Sequence, residues 1–229
     1  MEKLYNGFVL DTPIGTFPLS TDSMILSHFV KQKKDATVLD LGSGCATLGL
    51  LLCAKDPGCT VTGIELSQES HNAALANIQR NDLQERLFSI CGDLRSIPQE
   101  MKAGSFTTCV SNPPYFSGGP VSADNPQARH TNQCTSEDLF RSAAWALRWG
   151  GDFYLVHKPE ALAELCSCAA RFQLEPKELT LVRHDPSKPV SLILLKCRKG
   201  AKPGLKWAEL CLHTPTGDPT EEYRKIYHL

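Results

Sequence analysis

The run Thr37-Val38-Leu39-Asp40-Leu41-Gly42-Ser43-Gly44-Cys45-Ala46 decides the fold. Its β-branched and aliphatic residues, interrupted only by Asp40, lead into two glycines one residue apart. This pattern predicts a buried strand, a tight turn and a helix that begins at about Thr47. Glycines let the backbone pass close to a ligand, and strand–turn–helix units of this kind bind nucleotides. The spacing departs from the full G-x-G-x-x-G dinucleotide pattern, because the next glycine is Gly49.

The composition is typical of a globular protein and gives no sign of a membrane or polyanion-binding class. A chain of 229 residues with 41% hydrophobic and 21% charged residues can form one domain with a full core. The net charge of −1 predicts no global attraction to a polyanion. Ten scattered cysteines without a C-x-x-C pair favour buried thiols over disulfides or a metal site. With no apolar leader and no segment of membrane-spanning length, we expect a cytoplasmic protein. Its oligomeric state is left open, and a monomer is compatible with the sequence.

Each of the first four predicted strands ends on an acid or an amide, namely Asp40, Glu65, Asp93 and Asn112. Helical patterns separate these strands, so the sheet should be parallel with right-handed crossovers, and the four side chains should share one edge. Glu65 follows the glycines by about 20 residues, the separation at which a carboxylate meets ribose hydroxyls in nucleotide-binding folds. One acid after a strand is usually turn chemistry, whereas four polar residues at one edge predict a binding site.

The run Asn112-Pro113-Pro114-Tyr115-Phe116 is the most specific in the chain. Two successive prolines fix φ and remove two N–H donors, so this segment continues neither a strand ladder nor a helix. The Asn112 side-chain oxygen and the Pro113 carbonyl can therefore converge as two acceptors for a planar –NH2 group. Tyr115 adds a flat ring for stacking. The alternative is an ordinary proline-rich loop with an aromatic residue of the core.

The remaining chain predicts three further strands and two additions to the core. Residues 1–35 should form a hairpin around an Asp11-Thr12-Pro13 turn and a helix, whose first residues Thr21 and Asp22 either cap it or lie over a ligand. We expect residues 36–197 to form the core that carries the candidate site, and the short link before Val190 predicts an antiparallel hairpin at its end. Residues 198–229 form a basic tail with a possible edge strand.

Two regions of the chain, one polar and one basic, are candidates for substrate contact. The polar segment 117–132 is long for a connection, so it either moves or covers a substrate, and its Arg129 and His130 can meet a phosphate or stay solvated. Five cations near the tail have no acid among them: Lys196, Arg198, Lys199, Lys202 and Lys206. They form either a solvated loop or a modest, salt-sensitive RNA contact, for which Lys199 and Lys202 are our candidates.

With these motifs the chain resembles class I S-adenosylmethionine-dependent methyltransferases that act on amino groups. It is most similar to the bacterial tRNA1(Val) adenine-37 N6-methyltransferases, through the glycine turn, Asn112-Pro113-Pro114-Tyr115, Leu19-Ser20-Thr21-Asp22-Ser23 and Ala128-Arg129-His130. The resemblance covers nearly the whole chain. It implies an α/β fold with one Rossmann-like, seven-stranded, mostly parallel sheet, an antiparallel last strand and helices on both faces. Ala46 departs from the pattern, because relatives often have a third glycine there.

The resemblance also implies roles for individual residues. S-adenosyl-L-methionine would be the cofactor, with its methionine part at the turn from Asp40 through Gly42, Ser43 and Gly44. Glu65 would accept from the ribose hydroxyls, and Asp93 from the adenine amino group. Further cofactor contacts are expected from Thr21, Asp22, Leu66, Gly92 and Asn112. The catalytic run would be Asn112, Pro113, Pro114 and Tyr115, with substrate contacts from Tyr115, Phe116, Arg129 and His130.

The reaction expected from these groups is a direct methyl transfer to an amine, without a strong base. Three functions compete. A nucleic-acid adenine N6-methyltransferase, with tRNA ahead of rRNA or DNA, is favoured. A protein-glutamine methyltransferase would use the same acceptors, but those enzymes carry an N-terminal helical domain, and only about 35 residues precede the glycine turn here. A non-enzymatic scaffold would not need an intact amine cradle.

Overall fold

The computed structural model describes residues 1–13, 15–96, 101–114 and 134–229. Two short strands, β1 (Glu2–Lys3) and β2 (Val9–Leu10), pair with each other near the N-terminus. The central sheet contains β3 (Thr37–Leu41), β4 (Thr60–Glu65), β5 (Leu87–Cys91), β6 (Phe106–Ser111), β7 (Leu147–His157), β8 (Leu174–Arg183), β9 (Val190–Lys199) and β10 (Lys206–Cys211). The helices are α1 (Thr21–Phe29), α2 (Thr47–Lys55), α3 (Gln68–Arg80), α4 (Ser136–Ala146), α5 (Leu162–Arg171) and α6 (Glu221–Tyr227).

The strands of the central sheet are ordered β10-β8-β9-β7-β6-β3-β4-β5. All neighbours are parallel except at β9, which is antiparallel to both β7 and β8. This confirms the predicted α/β class and the antiparallel strand that closes the core. The sheet has eight strands instead of seven, because the tail adds β10 in parallel beside β8, where the sequence suggested only a possible edge strand.

Helices cover both faces of the sheet, as predicted. One core cluster contains buried residues of α1, α2, α3 and α6, and it includes almost the whole length of α2. The second cluster contains Leu139 and Phe140 of α4 and Leu165 of α5. Because both faces are covered, the central strands β3 and β6 are buried along most of their length, as in the parallel sheets of α/β proteins.

Side-chain caps fix the starts of several helices, and the cap of α1 differs from the prediction. Ser20, rather than Thr21 or Asp22, caps α1 by accepting from the Ser23 backbone N–H. Thr135 caps α4 in a capping box with Asp138. Such oxygens satisfy N–H groups that have no partner within the helix.

The N-terminal hairpin differs from the prediction. Glu2 and Lys3 pair with Leu10 and Val9, so the hairpin lies before the expected Asp11–Pro13 turn and does not include Thr16 or Phe17. Asn77 of α3 and Asn81, the residue that follows α3, hold this segment, because their side-chain oxygens accept from the backbone N–H groups of Asp11 and Val9. In the described part of the chain, no helix is both long and apolar enough to cross a bilayer.

The position of β3 determines where a ligand can bind. The chain leaves β3 toward β4 on one side and reaches β6 on the other side, so the strand order reverses between β3 and β6. In open α/β sheets, a crevice forms at such a switch point beyond the carboxyl ends of the strands. The glycine turn follows β3 and Asn112 follows β6, so the fold brings the two most specific runs of the sequence together.

Candidate active site

A cavity of about 460 Å³ opens at this edge of the sheet. This volume is within the range of small-molecule and cofactor pockets. Its wall brings together most of the residues predicted to bind a cofactor, namely Asp40, Gly42, Ser43, Gly44, Glu65, Leu66, Gly92, Asp93 and Asn112. Residues separated by up to 72 positions in sequence thus meet around one space.

The glycine turn has a left-handed backbone at three alternate positions. Gly42 has a φ of +77°, Gly44 of +55° and Ala46 of +67°. A Cβ atom on either glycine would meet no protein atom within 4 Å. The two glycines therefore leave an open cradle beside the cavity. Ala46, at the position where relatives often carry a third glycine, is buried and adopts a conformation in which L-residues are strained.

Glu65 connects the glycine turn to the start of α3. One carboxylate oxygen accepts from the Gly44 N–H at 2.8 Å, and the other accepts from the Ser67 N–H at 2.8 Å. A carboxylate offers about four acceptor sites, so each oxygen keeps capacity for one more donor. Glu65 can therefore hold the turn and still accept from a diol in the cavity.

Asp40 is the most unusual ionisable group of the site. Its side chain is 1% exposed, and neither carboxylate oxygen has a hydrogen-bond partner among the described residues. Burial, with a smaller contribution from the nearby Glu65 charge, raises the pKa of Asp40 to about 8. The hydroxyl of Ser43 in the same wall is also buried without a partner in the described part of the chain. Buried groups of this kind favour a ligand that carries a positive charge and N–H donors.

Asp93 lies in the cavity wall, but Arg95 contacts both of its carboxylate oxygens. The Arg95 backbone N–H and guanidinium donate to it at distances between 2.6 and 3.0 Å. These hydrogen bonds lower the pKa of Asp93. Arg95 also lines the cavity, so an amino group that binds Asp93 must share the carboxylate with this guanidinium.

Asn112 contacts α1 through a serine that the sequence analysis did not assign to the site. Its Nδ2 donates to the Ser23 hydroxyl at 3.1 Å. Of the prolines that follow, Pro113 is buried and Pro114 is exposed and lines the cavity.

Thr21 and Asp22 are not part of the cavity wall, contrary to the prediction. The wall contains Ser20 and Ser23 instead. The Thr21 hydroxyl faces α6, where it is 3.1 Å from the Tyr227 hydroxyl. Burial raises the pKa of Asp22, and the Lys158 ammonium opposes this shift. The helical periodicity explains the difference, because Ser20 and Ser23 are three residues apart and share one face.

Lys199 and Lys202 lie at the opposite edge of the sheet. Lys199 ends the antiparallel strand β9 and pairs with Leu174, the first residue of β8. Its ammonium donates to the carbonyls of Ala144 and Leu147 at 2.5 and 2.8 Å. Neither lysine therefore lies beside the cavity, and a contact of this edge with an RNA substrate stays a prediction.

The described residues do not include every predicted site residue. Tyr115, Phe116, Arg129 and His130 lie outside them. Conversely, the cavity wall contains residues that sequence reasoning missed, among them Thr16, Phe17, Ser23, Thr47, Leu48 and Arg95. Thr47 and Leu48 follow the glycine turn directly, so their position could have been inferred from it. Ser23 ends the run Leu19–Ser23 that carries part of the resemblance, whereas Thr16, Phe17 and Arg95 carry no local signal of a site.

The donor set fits S-adenosyl-L-methionine. An open glycine cradle gives room for close backbone contact, Asp40 is a buried carboxyl group that lacks a partner among the described residues, and Glu65 keeps acceptor capacity for a ribose. The cofactor carries a sulfonium, an ammonium group and a ribose diol, which match these three features. Within the described residues there is no cluster of three or more His, Cys, Asp or Glu side chains that could hold a metal ion.

Two curated relatives give the same activity in their names. The chain is 27% identical over 226 residues to the tRNA1(Val) (adenine(37)-N6)-methyltransferase of Aeromonas hydrophila, covering 97% of this chain and 93% of that protein. It is 29% identical over 159 residues to the protein of the same name from Shewanella halifaxensis, covering 69% of this chain and 64% of that protein.

A solved structure agrees with the fold, and a family model matches most of the chain. A predicted O-methyltransferase from Agrobacterium tumefaciens superposes with a TM-score of 0.77 at 22% identity, covering 91% of this chain and 96% of that chain. The family model described as "Methyltransferase small domain" matches residues 19–166, which include the glycine turn, Glu65, Asp93 and Asn112. The chain belongs to the methyltransferase small-domain family.

Proposed function

We propose that the protein transfers a methyl group from S-adenosyl-L-methionine to the N6 amino group of an adenine in RNA, with tRNA as the leading substrate. Family membership supports methyl transfer, and the relatives named as tRNA adenine N6-methyltransferases support the acceptor. A tRNA substrate would place the protein in the cytoplasm.

The observation that carries the proposal is the position of Asn112. Its side chain lies in the same cavity wall as the glycine cradle and Asp40, at the switch point between β3 and β6. Because Nδ2 donates to Ser23, Oδ1 remains to accept from a group in the cavity. An amide oxygen beside a cofactor pocket suits a substrate that donates N–H hydrogens.

In this proposal Asn112 and the Pro113 carbonyl each accept one hydrogen of the adenine amino group. The lone pair of that nitrogen is delocalised into the ring, and two acceptors draw the nitrogen toward tetrahedral geometry and make it more nucleophilic. The bound cofactor supplies an electrophilic methyl group. Positioning the amine can provide ~7–11 kcal/mol of the acceleration, so no strong base is required, and the proton leaves to water afterwards.

The remaining groups would bind and orient the cofactor and the target base. Glu65 would accept from the ribose hydroxyls, Asp93 beside Arg95 from the cofactor's adenine amino group, and Asp40 would face its positive charge. Tyr115 would stack on the target base, an interaction worth about 1–3 kcal/mol. That gain would offset much of the few kcal/mol needed to turn a base out of a stem or stacked loop.

A labelled-methyl partition assay tests the proposal. The protein and methyl-labelled cofactor are incubated with unmodified bulk tRNA, rRNA and a protein extract, and the labelled RNA is digested to nucleosides. We expect the label in tRNA as N6-methyladenosine. A primary amide offers the same two hydrogens as an adenine amino group, so label confined to protein, as methylglutamine, would replace our proposal with the glutamine alternative.

A further inference from the structure

Asn112 can face the cavity in two ways that differ only by a half-turn of its amide. In one orientation Oδ1 accepts from the substrate amine, and in the other Nδ2 points its own hydrogens at the amine's hydrogens. The two orientations have almost the same shape, so packing alone cannot select between them. A specific hydrogen-bond partner is required, and the proposed function depends on which orientation is selected.

Ser23 contacts Asn112 at Nδ2, the amide atom opposite the Oδ1 that would accept from a substrate. It is the third residue of α1, it is buried, and its hydroxyl accepts from Asn112 Nδ2 at 3.1 Å. The same hydroxyl lies 3.3 Å from the Ser20 hydroxyl. All three side chains are in the cavity wall.

Either hydroxyl can donate across the contact between Ser20 and Ser23, and one of the two directions makes the Ser23 oxygen an acceptor for Asn112. Ser20 Oγ is the N-cap of α1 and already accepts from the Ser23 backbone N–H at 3.3 Å, so it acts as an acceptor for this helix end. When it also accepts the Ser23 hydroxyl hydrogen, the Ser23 oxygen offers its lone pairs to Asn112 Nδ2. The amide then presents Oδ1 to the cavity.

We propose that Ser23 is a positioning residue for methyl transfer, which orients the Asn112 amide so that its oxygen receives the substrate amine. The effect on methyl transfer rests on the proposed function. The orientation of the Asn112 amide would be the same for any methyl acceptor that donates N–H hydrogens. Ser23 acts through Asn112 and is not required to touch cofactor or substrate.

The chain provides a matched control in Ser27. This serine is also buried and also lies in α1, but its hydroxyl donates to the Met24 carbonyl at 2.8 Å and it is not part of the cavity wall. Ser27→Ala therefore removes a buried hydroxyl from the same helix without touching Asn112.

The first test is kinetic. In single-turnover assays at saturating cofactor and RNA, we expect Ser23→Ala to slow methyl transfer by about fivefold to tenfold, which corresponds to the loss of one net hydrogen bond. Cofactor affinity and the KM for RNA should stay close to those of the wild type, and Ser27→Ala should keep the wild-type rate. A wild-type rate in Ser23→Ala would overturn the inference, as would equal losses in both variants.

The second test does not need activity. In ¹⁵N-labelled protein, the side-chain amide resonances that Asn112→Ala removes are those of Asn112. We expect their hydrogens to exchange faster with water in Ser23→Ala than in the wild type or in Ser27→Ala. Unchanged exchange would overturn the inference. If the wild type methylates protein glutamine instead of RNA, the proposed function fails, while the kinetic test of Ser23 can be made with that substrate and the exchange test is unaffected.

Discussion

Asp40 shows how a single side chain can be unfavourable in the free protein and useful in the complex. The strand and turn bury a carboxylate that has no hydrogen-bond partner among the described residues, and its pKa rises to about 8 because ionisation there is opposed by burial and by Glu65. A cationic cofactor would provide the missing partner. The free protein therefore carries a destabilising group at neutral and alkaline pH.

The pKa of Asp40 predicts a specific pH dependence. Its folded-state pKa lies above its unfolded value of 3.8, so the stability that its neutral form provides is complete below about pH 4 and is lost as the pH rises through about 8. Without cofactor, Asp40→Asn should melt near the wild-type temperature at pH 5. At pH 8.5 it should melt about 3 °C or more higher, a shift expected for roughly 1 kcal/mol in a chain of this size. Thermal melts of both proteins across this range measure the effect; parallel curves would contradict it.

Gly44 offers a test of the cradle with a matched control. A methyl group at Gly44, where φ is +55°, would meet no protein atom within 4 Å and would occupy space beside the cavity. Gly217 also has a positive φ, of +89°, and open space, but it lies in a remote turn. Both Gly→Ala variants should lose about 1–2 kcal/mol of stability through backbone strain. Titration calorimetry should show at least tenfold weaker cofactor binding only for Gly44→Ala; equal affinities in the two variants would contradict the cradle.

At the scale of elements, β9 shows why a run of basic residues in the sequence is a weak predictor of a basic protein surface. Lys196 and Arg198 have no acid near them in sequence, yet they pair with Glu178 of β8 and Asp152 of β7, at 2.9 and 2.7 Å. The antiparallel register brings these acids opposite the cations. Composition along the chain contains no information about such partners.

The position of the lysines predicts a contrast between stability and activity. Lys199→Met removes the donor to two carbonyls near the end of α4, so we expect a loss of about 1–3 kcal/mol in urea unfolding. Lys202 is exposed at the same edge, and Lys202→Glu should change stability by less than about 0.5 kcal/mol. RNA methylation by folded protein should be nearly unchanged in both variants. A large, salt-dependent loss in Lys202→Glu would place RNA at this edge.

At the scale of the whole molecule, local patterns predicted most of the sheet, because helices separate β3 from β4 and β4 from β5, and a short turn joins β8 to β9. The glycine turn, Glu65, Asp93 and Asn112 could be placed at one edge from strand order alone. The role of Ser23 depends on a contact with Asn112 across 89 residues, and no local pattern encodes it. Arg95 contacts Asp93 only two residues away, but an arginine at that position does not by itself indicate a place in the cavity wall. The count of strands was too low by one because β10 is an edge strand whose first four residues are exposed.

The central claim is that Asn112 activates an amine beside a cofactor that other residues hold. Its most direct test measures single-turnover methyl transfer to tRNA and cofactor affinity in Asn112→Ala, with Asn72→Ala, an exposed asparagine of α3, as the control. We predict that Asn112→Ala slows transfer by at least about 100-fold, as when one aligned polar group is removed from a transition state, while cofactor affinity stays near that of the wild type. A wild-type rate of transfer in Asn112→Ala would contradict the account.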